Sequence, residues 1–322
     1  MLKDPGNHIG DAWYYIEGDV CHCFYLTCPD TQPRHHCWDI AHATSQDLIH
    51  WTLHGLVLRK GAAGDWDCDC LSTGTVIRFN GRYWMAYSGK WNGALVQIGL
   101  AVSDDLYSWE KCSWNPVCWP DGTLYALQGR GERTFCHWRD PFLLEDSGSV
   151  YMLTCATSPD APADGCGTLG ICRSEDMQHW TLLAPIVIEP ITQELECPQI
   201  IQMENRYILL FSSYEKLFCR RLQQKYGESL RQTSYYMTAE SRWGPYRFEE
   251  QLCLLPIYAS DSDRSVQYAN RLIQHDGTWY LIGTVWSEAG DYIADPMECG
   301  LLDGKLCLKN QEIGCVTPDG DI

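Results

Sequence analysis

The chain has 322 residues, of which 45% are hydrophobic and 20% are charged, the balance of a globular protein with a sizeable core. Its formal net charge of −18 argues against nucleic acid and anionic membranes as partners and favours a neutral small molecule. The sequence contains no apolar run of the roughly 18 residues that a transmembrane helix needs, and its first residues lack the apolar stretch of a signal peptide. We therefore expect a cytoplasmic protein.

The chain contains 18 cysteines. We interpret them mainly as reduced, buried thiols, because the chain is long and shows neither a signal peptide nor the spacing of a small disulfide scaffold. Three short groups offer potential metal ligands: Cys21-His22-Cys23, His35-His36-Cys37 and Cys68-Asp69-Cys70. No pair of Cys-x-x-Cys motifs has the spacing of a zinc finger. The sequence therefore predicts no metal site and no cofactor.

Five short turns, each followed by an aromatic strand, recur along the chain. Small and polar residues form each turn between apolar runs, and pairs such as Asn-Gly are the strongest local signal for a β-hairpin. Counted at Gly18, Gly81, Gly148, Asn205 and Gly277, the turns are 63, 67, 57 and 72 residues apart. The mean step is about 65 residues, so the chain accommodates five such units.

A second motif, Ser-x-Asp-(Leu/Met)-x-x-Trp, alternates with these hairpins. Complete copies occupy residues 45–51, 103–109 and 174–180, and a looser copy occupies residues 241–246. Its Ser and Asp side chains can hydrogen-bond the local backbone in a polar turn. Its Trp would then cap the strand that follows.

The two motifs together fill the chain and leave little helical signal. One basic segment, residues 215–230, fits either a helix or a long loop inserted in the fourth unit. Five units of about 65 residues, each with about four short strands, predict an all-β fold, a five-bladed β-propeller. Because no linker separates the units, we expect a single domain over residues 1–322.

Three carboxylates share one position relative to the hairpin turns. Asp11, Asp140 and Glu196 lie 7, 8 and 9 residues, respectively, before the turn of their own unit. Thr73 and Tyr268 hold the equivalent position in the second and fifth units. Because the innermost strands of a propeller converge on a central funnel, we expect the three carboxylates to lie at one mouth of it.

Such a cluster favours acid/base and nucleophilic chemistry. Clustered carboxylates repel one another, and their pKa values are pushed apart. Cleavage of an acetal requires carboxyls with different pKa values. One carboxyl donates a proton to the leaving oxygen, while another is ionised and attacks the sugar or activates water. One carboxylate alone would more commonly cap a turn, but three in register favour catalysis.

The residues around these carboxylates resemble glycoside hydrolase family 32, the β-fructofuranosidase family. Residues 139–141 are similar to its Arg-Asp-Pro motif, and residues 196–197 are similar to its Glu-Cys motif. Residues 10–25 resemble its first blade, and residues 268–269 resemble an element of its fifth blade. The resemblance spans nearly the whole chain and keeps the order of the family's motifs.

This resemblance implies a propeller enzyme that hydrolyses small β-fructofuranosides, such as sucrose or fructo-oligosaccharides, with retention of configuration. By the same resemblance, Asp11 would be the nucleophile and Glu196 the general acid/base. Asp140 would stabilise the oxocarbenium-like transition state. Arg139 would orient the site and keep carboxylates ionised, and Cys197 would pack beside Glu196.

The sequence departs from the family at the first motif, which is normally Asn-Asp-Pro-Asn and here reads Gly-Asp-Ala-Trp at residues 10–13. The string at residues 4–7 mimics that motif. Asp4, however, lies 14 residues before Gly18 and is out of phase with the other carboxylates. We therefore choose Asp11 over Asp4 as the nucleophile. The family's C-terminal β-sandwich is not expected, because the propeller repeat uses the entire sequence.

Two other functions fit the same pattern. In an inverting enzyme close to family 43, which cleaves arabinans and xylans, the three carboxylates would serve as base, acid and pKa modulator. A non-catalytic carbohydrate-binding propeller would bind sugar without turnover and would tolerate the loss of all three carboxylates.

Substrate contacts are predicted for several further side chains. Trp13 could stack on a sugar ring, as could Trp38 and Trp66. Thr73 and Asn270 could hydrogen-bond sugar hydroxyls. The full set of predicted contacts is Trp13, Thr73, Arg139, Tyr268 and Asn270, and the expected partner is an oligosaccharide or another small-molecule substrate.

Overall fold

Antiparallel strands make up most of the protein in the computed structural model, which describes residues 1–34, 37–91, 95–248, 267–287 and 290–309. The strands form five separate sheets, and each sheet is one blade. The five innermost strands contact one another in a closed ring, in which the first blade meets the fifth. The predicted five-bladed β-propeller is therefore confirmed. The extent of the domain, residues 1–322, stays a prediction because it includes residues outside the described ranges.

Blades I to III each contain four strands, ordered from the centre of the ring outward. Blade I contains β1 (Asn7–Glu17), β2 (Val20–Pro29), β3 (Asp39–Ser45) and β4 (Thr52–Leu58). Blade II contains β5 (Cys70–Phe79), β6 (Arg82–Trp91), β7 (Leu95–Ser103) and β8 (Glu110–Lys111). Blade III contains β9 (Arg139–Asp146), β10 (Ser149–Thr157), β11 (Gly167–Ser174) and β12 (Thr181–Leu183), with a 3₁₀ turn at Ala163–Gly165.

Blades IV and V vary this pattern. Blade IV contains β13 (Glu196–Met203), β14 (Arg206–Ser213) and β15 (Thr233–Ala239). An isolated pairing of Thr238 with Arg247 stands at the edge of blade IV, where a fourth strand would lie. Blade V contains β16 (Gln267–His275), β17 (Thr278–Val285), β18 (Tyr292–Ile293), β19 (Met297–Leu302) and β20 (Lys305–Leu308).

A short helical insertion lies between β14 and β15 of blade IV. It comprises a 3₁₀ turn at Glu215–Leu217, the helix α1 at Arg220–Tyr226 and a second 3₁₀ turn at Gly227–Ser229. Leu222 and Tyr226 of α1 pack into the apolar layer between blades III and IV. The basic segment that the sequence left open between helix and loop is thus a helical insertion anchored by its apolar side chains.

The hydrophobic core is divided into five layers, each between two neighbouring blades. Successive side chains of a strand point to opposite faces of its sheet, so each blade contributes to the layer on either side. Large aromatic side chains fill these layers; Trp13 lies between blades I and II, and Trp138 lies between blades II and III.

Most of the described cysteines are buried free thiols, and several of them pack into these layers. Cys21 and Cys23 are both 0% exposed, between blades I and V. Cys118 and Cys172 are joined by a disulfide that ties the connection between blades II and III to β11.

The hairpin turns between first and second strands have the geometry that their sequences predict. At residues 80–81, 147–148 and 276–277, both turn positions have positive φ, between 46° and 80°. This is the two-residue turn whose twist matches that of the flanking strands, and Asn, Asp and Gly adopt it most readily. The turn residues therefore set the strand register in blades II, III and V.

The Ser-x-Asp-(Leu/Met)-x-x-Trp motif connects the third and fourth strands of blades I to III. In blade III, one carboxylate oxygen of Asp176 accepts hydrogen bonds from the backbone N–H groups of Gln178 (2.9 Å) and His179 (2.8 Å). Met177 adopts a φ of 65°, and the indole N–H of Trp180 donates to the Met177 carbonyl at 3.1 Å. The same contacts recur in the other two copies. The motif is therefore a self-contained turn.

We expect Asp176→Ala to lower the free energy of unfolding by about 1 kcal/mol, because two backbone N–H groups lose their acceptor. Urea-induced unfolding measures this loss. Glu175→Ala is the matched control, because it removes an exposed carboxylate of the same turn whose ion pair with Arg173 lies on the surface. Equal stability of the two variants would contradict the assigned role.

Candidate active site

A pocket opens at the centre of the ring, near the beginnings of the innermost strands. Its volume is about 140 Å³. Its walls come from all five blades. The lining residues are Gly10, Asp11, Leu26, Trp38, Ser72, Thr73, Arg139, Asp140, Glu196, Cys197, Tyr214, Tyr268 and Trp286.

Each innermost strand contains a β-bulge near its beginning, and these bulges hold the predicted site residues. The pairing register shifts at residues 10–11, 73, 140–141, 197–198 and 269–270. A bulge inserts a residue into one strand and re-aims the side chains beside it. Asp140, Cys197 and Ala269 have positive φ values of 58°, 50° and 49° at these points. The shared position found in the sequence is thus a bulge repeated in five blades.

Hydroxyl groups hold the bulges across blade boundaries. Ser88 of blade II accepts a hydrogen bond from the backbone N–H of Asp140 in blade III at 2.8 Å. Ser212 of blade IV accepts one from the N–H of Ala269 in blade V at 3.1 Å. The positions of the pocket residues therefore depend on contacts between blades as well as on their own strands.

The structure brings most of the predicted site residues together. Asp11, Asp140 and Glu196 all line the pocket. Of the predicted substrate contacts, Thr73, Arg139 and Tyr268 also line it, as does Trp38.

Two residues that the sequence predicted to contact substrate, Trp13 and Asn270, do not line the pocket. Trp13 is 2% exposed in the layer between blades I and II. Asn270 is 1% exposed, and its amide donates to Ser234 Oγ at 3.0 Å. In β1 and β16 the bulge directs Asp11 and Tyr268 toward the funnel. The side chains of Trp13 and Asn270 point into the blade instead. Trp66 also lies outside the pocket and packs beside Tyr87 within blade II.

Asp4 lies outside the pocket and is engaged by its neighbours. Its carboxylate accepts hydrogen bonds from Asn7 Nδ2 at 3.1 Å, from the Tyr25 hydroxyl at 3.1 Å and from the Thr27 hydroxyl at 3.2 Å. These contacts fasten the N-terminal segment to β2. Of the two aspartates weighed as nucleophile, only Asp11 faces the pocket.

Asp11 is half-buried at the pocket and has two hydrogen-bond donors. The Thr73 hydroxyl donates to its Oδ2, and the Cys197 thiol approaches the same oxygen at 3.4 Å. Burial and the neighbouring Glu196 raise the pKa of Asp11, although these hydrogen bonds and the charge of Arg271 oppose the shift. The two donors leave the other carboxylate oxygen, Oδ1, as the one that could contact a molecule in the pocket.

Glu196 shares an arginine with a second glutamate, Glu194. Arg139 Nη2 lies 2.6 Å from Glu196 Oε1 and 2.9 Å from Glu194 Oε2. Arg133 Nη1 reaches the same two oxygens at 3.4 Å and 3.1 Å. The Tyr268 hydroxyl donates to the other oxygen of Glu196.

These contacts make the two glutamates titrate as a pair. Burial and the adjacent Glu196 raise the pKa of Glu194 to about 8. Burial also disfavours ionised Glu196, but Arg139 and hydrogen bonds from Glu194 and Tyr268 outweigh it and lower the pKa of Glu196 to about 2. The pair therefore retains one proton at neutral pH. Only Glu196 lines the pocket, because the Glu194 side chain is 0% exposed.

Asp140 completes the carboxylate cluster. Its Oδ2 accepts a hydrogen bond from the backbone N–H of Cys197 at 3.1 Å and lies 3.5 Å from Arg139 Nε. Burial raises the pKa of Asp140 to about 6, with further contributions from Glu196 and Asp11 and an opposing one from Arg139. The cluster as a whole thus contains carboxyls with different affinities for protons.

The connection between β8 and β9 brings Arg133 and Phe135 next to the residues that hold Glu196. Phe135 is 40% exposed, and its ring centroid lies 5.5 Å from the Arg139 guanidinium. Arg133 lies 4.8 Å from the ring centroid of Tyr214. Flat side chains therefore flank Glu196 on the outer side of the pocket.

Several site residues were not found in the sequence. Tyr214 directly follows β14, and Trp286 directly follows β17. A second strand runs antiparallel to its innermost partner, so it ends at the mouth where the first begins, and this rule could have identified both residues. Glu194 had a local signal, since it lies two residues before Glu196. Arg133 had none that we recognise.

Among the described residues, no group of three or more His, Cys, Asp or Glu side chains is arranged to hold a metal ion. Of the groups noted in the sequence, His35 and His36 lie outside the described residues. No helix in the part of the chain that the structure describes has the length and apolar character to cross a membrane.

Comparison with known proteins gives sequence matches over most of the chain. The family model for the "Glycosyl hydrolases family 32 N-terminal domain" matches residues 10–298. A sucrose-6-phosphate hydrolase of Zymomonas mobilis subsp. mobilis is 27% identical over 224 residues, which cover 66% of this chain and 40% of that protein. The chain thus spans about 40% of the length of this curated relative.

Solved structures share the propeller architecture. An inulosucrase from Halalkalicoccus jeotgali, bound to kestose, has a TM-score of 0.75 and 20% identity, and the match covers 97% of this chain and 89% of that one. A sucrose-6-phosphate hydrolase from Lactobacillus gasseri has a TM-score of 0.70 and 18% identity, and the match covers 94% and 61% of the two chains. At these identities the structural matches show a common fold.

Proposed function

The chain belongs to glycosyl hydrolase family 32, and we propose that it hydrolyses small β-fructofuranosides, such as sucrose or short fructo-oligosaccharides, with retention of configuration. The observation that carries this proposal is the convergence of Asp11, Asp140 and Glu196 on one pocket at the centre of the propeller. We further propose that the propeller by itself forms the catalytic domain, because all three carboxylates belong to its innermost strands.

In the first chemical step, Asp11 attacks the anomeric carbon of the fructosyl unit. The bond from this carbon to the glycosidic oxygen breaks, and Glu196 donates a proton to the departing oxygen. The product is a covalent fructosyl ester of Asp11. Hydrogen bonds from Thr73 and Cys197 orient the nucleophile and oppose its protonation.

In the second step, water hydrolyses that ester. Ionised Glu196 removes a proton from the water as its oxygen bonds to the anomeric carbon, and Asp11 departs as a carboxylate. The paired Glu194 supports both roles, because a proton shared between two glutamates can be supplied in the first step and recovered in the second. Arg139 holds both glutamates in place.

Asp140 and the apolar lining would bind the sugar itself. Asp140 can accept hydrogen bonds from sugar hydroxyls, and its negative charge favours the cationic transition state. Leu26, Trp38 and Trp286 offer apolar surface to the carbon-bearing face of a ring. A pocket of about 140 Å³ suits a terminal sugar unit, with the rest of the substrate directed toward Phe135 and Tyr214.

A panel of substrates tests this proposal. We expect fructose release from sucrose, kestose or sucrose 6-phosphate, and none from α-L-arabinofuranosides or β-xylosides. Cleavage of the arabinosides or xylosides alone would instead favour an activity of the family 43 type. Sugar binding without turnover would favour a non-catalytic propeller.

Retention is tested by adding methanol to the reaction. A covalent intermediate that reacts with methanol gives methyl β-fructofuranoside, which the ¹³C resonance of its anomeric carbon identifies. Formation of the α-anomer would contradict a retaining mechanism.

A further inference from the structure

Arg271 is a buried arginine beneath the pocket that the proposed mechanism does not use. It lies on β16, three residues after Tyr268, and is 3% exposed. Its Nη1 donates hydrogen bonds to the backbone carbonyls of Cys197 at 2.8 Å and Pro198 at 2.9 Å. Arg271 therefore bridges blades V and IV at the bulge that directly follows Glu196.

The residue that Arg271 fixes is the hub of the carboxylate cluster. The backbone N–H of Cys197 donates to Asp140 Oδ2, and its thiol approaches Asp11 Oδ2. Cys197 also has a left-handed φ of 50°, which a non-glycine residue keeps only where surrounding contacts enforce it. Two hydrogen bonds from a rigid guanidinium supply such contacts.

The charge of Arg271 is directed toward the same cluster. Among the described residues Arg271 forms no ion pair, and its Nε and Nη2 are buried without a hydrogen-bond partner. Burying a cation without an anion in contact costs free energy. Negative charges beyond ion-pair distance therefore contribute to stabilising the Arg271 guanidinium. Cys197, whose carbonyl accepts from Arg271, contacts Asp11, and the charge of Arg271 lowers the pKa of Asp11.

We infer that Arg271 is a positioning residue of the active site: its two hydrogen bonds hold the Cys197–Pro198 peptide and place a positive charge next to the residue that contacts both Asp11 and Asp140. This inference rests on the proposed function, since it assigns Asp11 the role of nucleophile. Arg139 and Arg133 contact the glutamates directly, whereas Arg271 acts through the backbone of Cys197 and Pro198.

The titration of Asp11 depends on groups from several strands. Burial and Glu196 raise its pKa, and Asp140 adds a further negative charge nearby, whereas Thr73, Cys197 and Arg271 act in the other direction. Removing the Arg271 charge therefore raises the pKa of Asp11 further. Because the nucleophile must be ionised, the acidic limb of kcat/KM should then move to higher pH.

The first test compares Arg271→Gln with Arg271→Lys. For the glutamine variant we expect kcat to fall roughly tenfold with little change in KM, since Cys197 is no longer held and the reacting groups shift. We also expect its acidic limb to move upward. The lysine variant keeps the charge but not the planar fork, so kcat should fall while the acidic limb stays at the wild-type pH. Arg59→Gln is the matched control, because this side chain is 73% exposed.

If Arg271 contributes only to stability, its variants should have lower thermal stability, wild-type kcat and an acidic limb of kcat/KM at the wild-type pH. That result would overturn the inference. If the glutamine variant does not fold, the lysine variant decides alone, because wild-type kcat in that protein would also overturn the positioning role.

A second readout does not require turnover. In protein labelled with [γ-¹³C]aspartate, the Asp11 carboxyl resonance is assigned by its loss in Asp11→Asn. Its titration midpoint should be higher in Arg271→Gln than in wild type, and an unchanged midpoint would overturn the inference. If wild type hydrolyses no fructoside, the proposed function fails, while this titration still tests the charge of Arg271 on Asp11.

Discussion

Asp11→Asn is expected to lower kcat on fructosides by about 10⁴-fold or more, because an amide cannot form the covalent intermediate. The substitution preserves the size of the side chain and leaves an oxygen that can accept from Thr73 or Cys197. The fold should therefore persist, and KM should change far less than kcat. Initial rates of fructose release, with circular dichroism to verify folding, measure the effect.

Asp4→Asn is the matched control for this substitution. Asp4 belongs to the string that mimics the family's first motif, yet its contacts are with Asn7, Tyr25 and Thr27 outside the pocket. We expect activity within a few-fold of wild type. A large loss in Asp4→Asn together with retained activity in Asp11→Asn would reverse the assignment of the nucleophile.

Glu196→Gln is expected to lower kcat/KM by about 10²–10⁴-fold on sucrose, because the leaving oxygen then departs without a proton. The loss in kcat/KM should be much smaller on β-D-fructofuranosyl fluoride, whose leaving group needs little protonation in the first step. This dependence on the leaving group distinguishes loss of an acid from general damage to the site. Glu175→Gln, an exposed substitution in blade III, is the control.

The pH profile gives an independent check on Glu196. Burial and Glu196 raise the pKa of Glu194 to about 8, so the glutamate pair holds its proton below that pH and loses it above. Acid catalysis should therefore be present at neutral pH and decline as the pH rises through about 8. In Glu196→Gln the alkaline decline should disappear. If the decline persists unchanged, another group supplies the proton.

Because of the bulges, the sequence predicted the position of the pocket more accurately than it predicted the side chains that line the pocket. Spacing from the hairpin turn identified the correct region of each innermost strand, because both features repeat in every blade. A shift of one residue, however, decides whether a strand side chain faces the funnel or the blade. Trp13 and Asn270 lie outside the pocket for this reason, whereas Thr73 and Tyr268 line it.

A second group of residues depends on contacts between blades. Tyr214 and Trp286 line the pocket from the ends of the second strands of blades IV and V. Arg133 contacts Glu196 from the connection between β8 and β9, which no local pattern marks as converging on the site. Glu194 lies two residues before Glu196 in the sequence. Their pairing, however, depends on Arg139, which is 55 positions from Glu194 and 57 positions from Glu196. Arg271 likewise acts on β13 from the neighbouring blade.

The sequence by itself determined the number of blades, the hairpins and the position of the carboxylates along their strands. These features follow from turn chemistry and strand alternation, which act over a few residues and repeat at a regular interval. Only the tertiary structure decided which side chains enter the pocket, which glutamate shares a proton with Glu196, and what holds Cys197 in place. Those outcomes depend on strand register and on contacts between distant blades, which local physical chemistry does not specify.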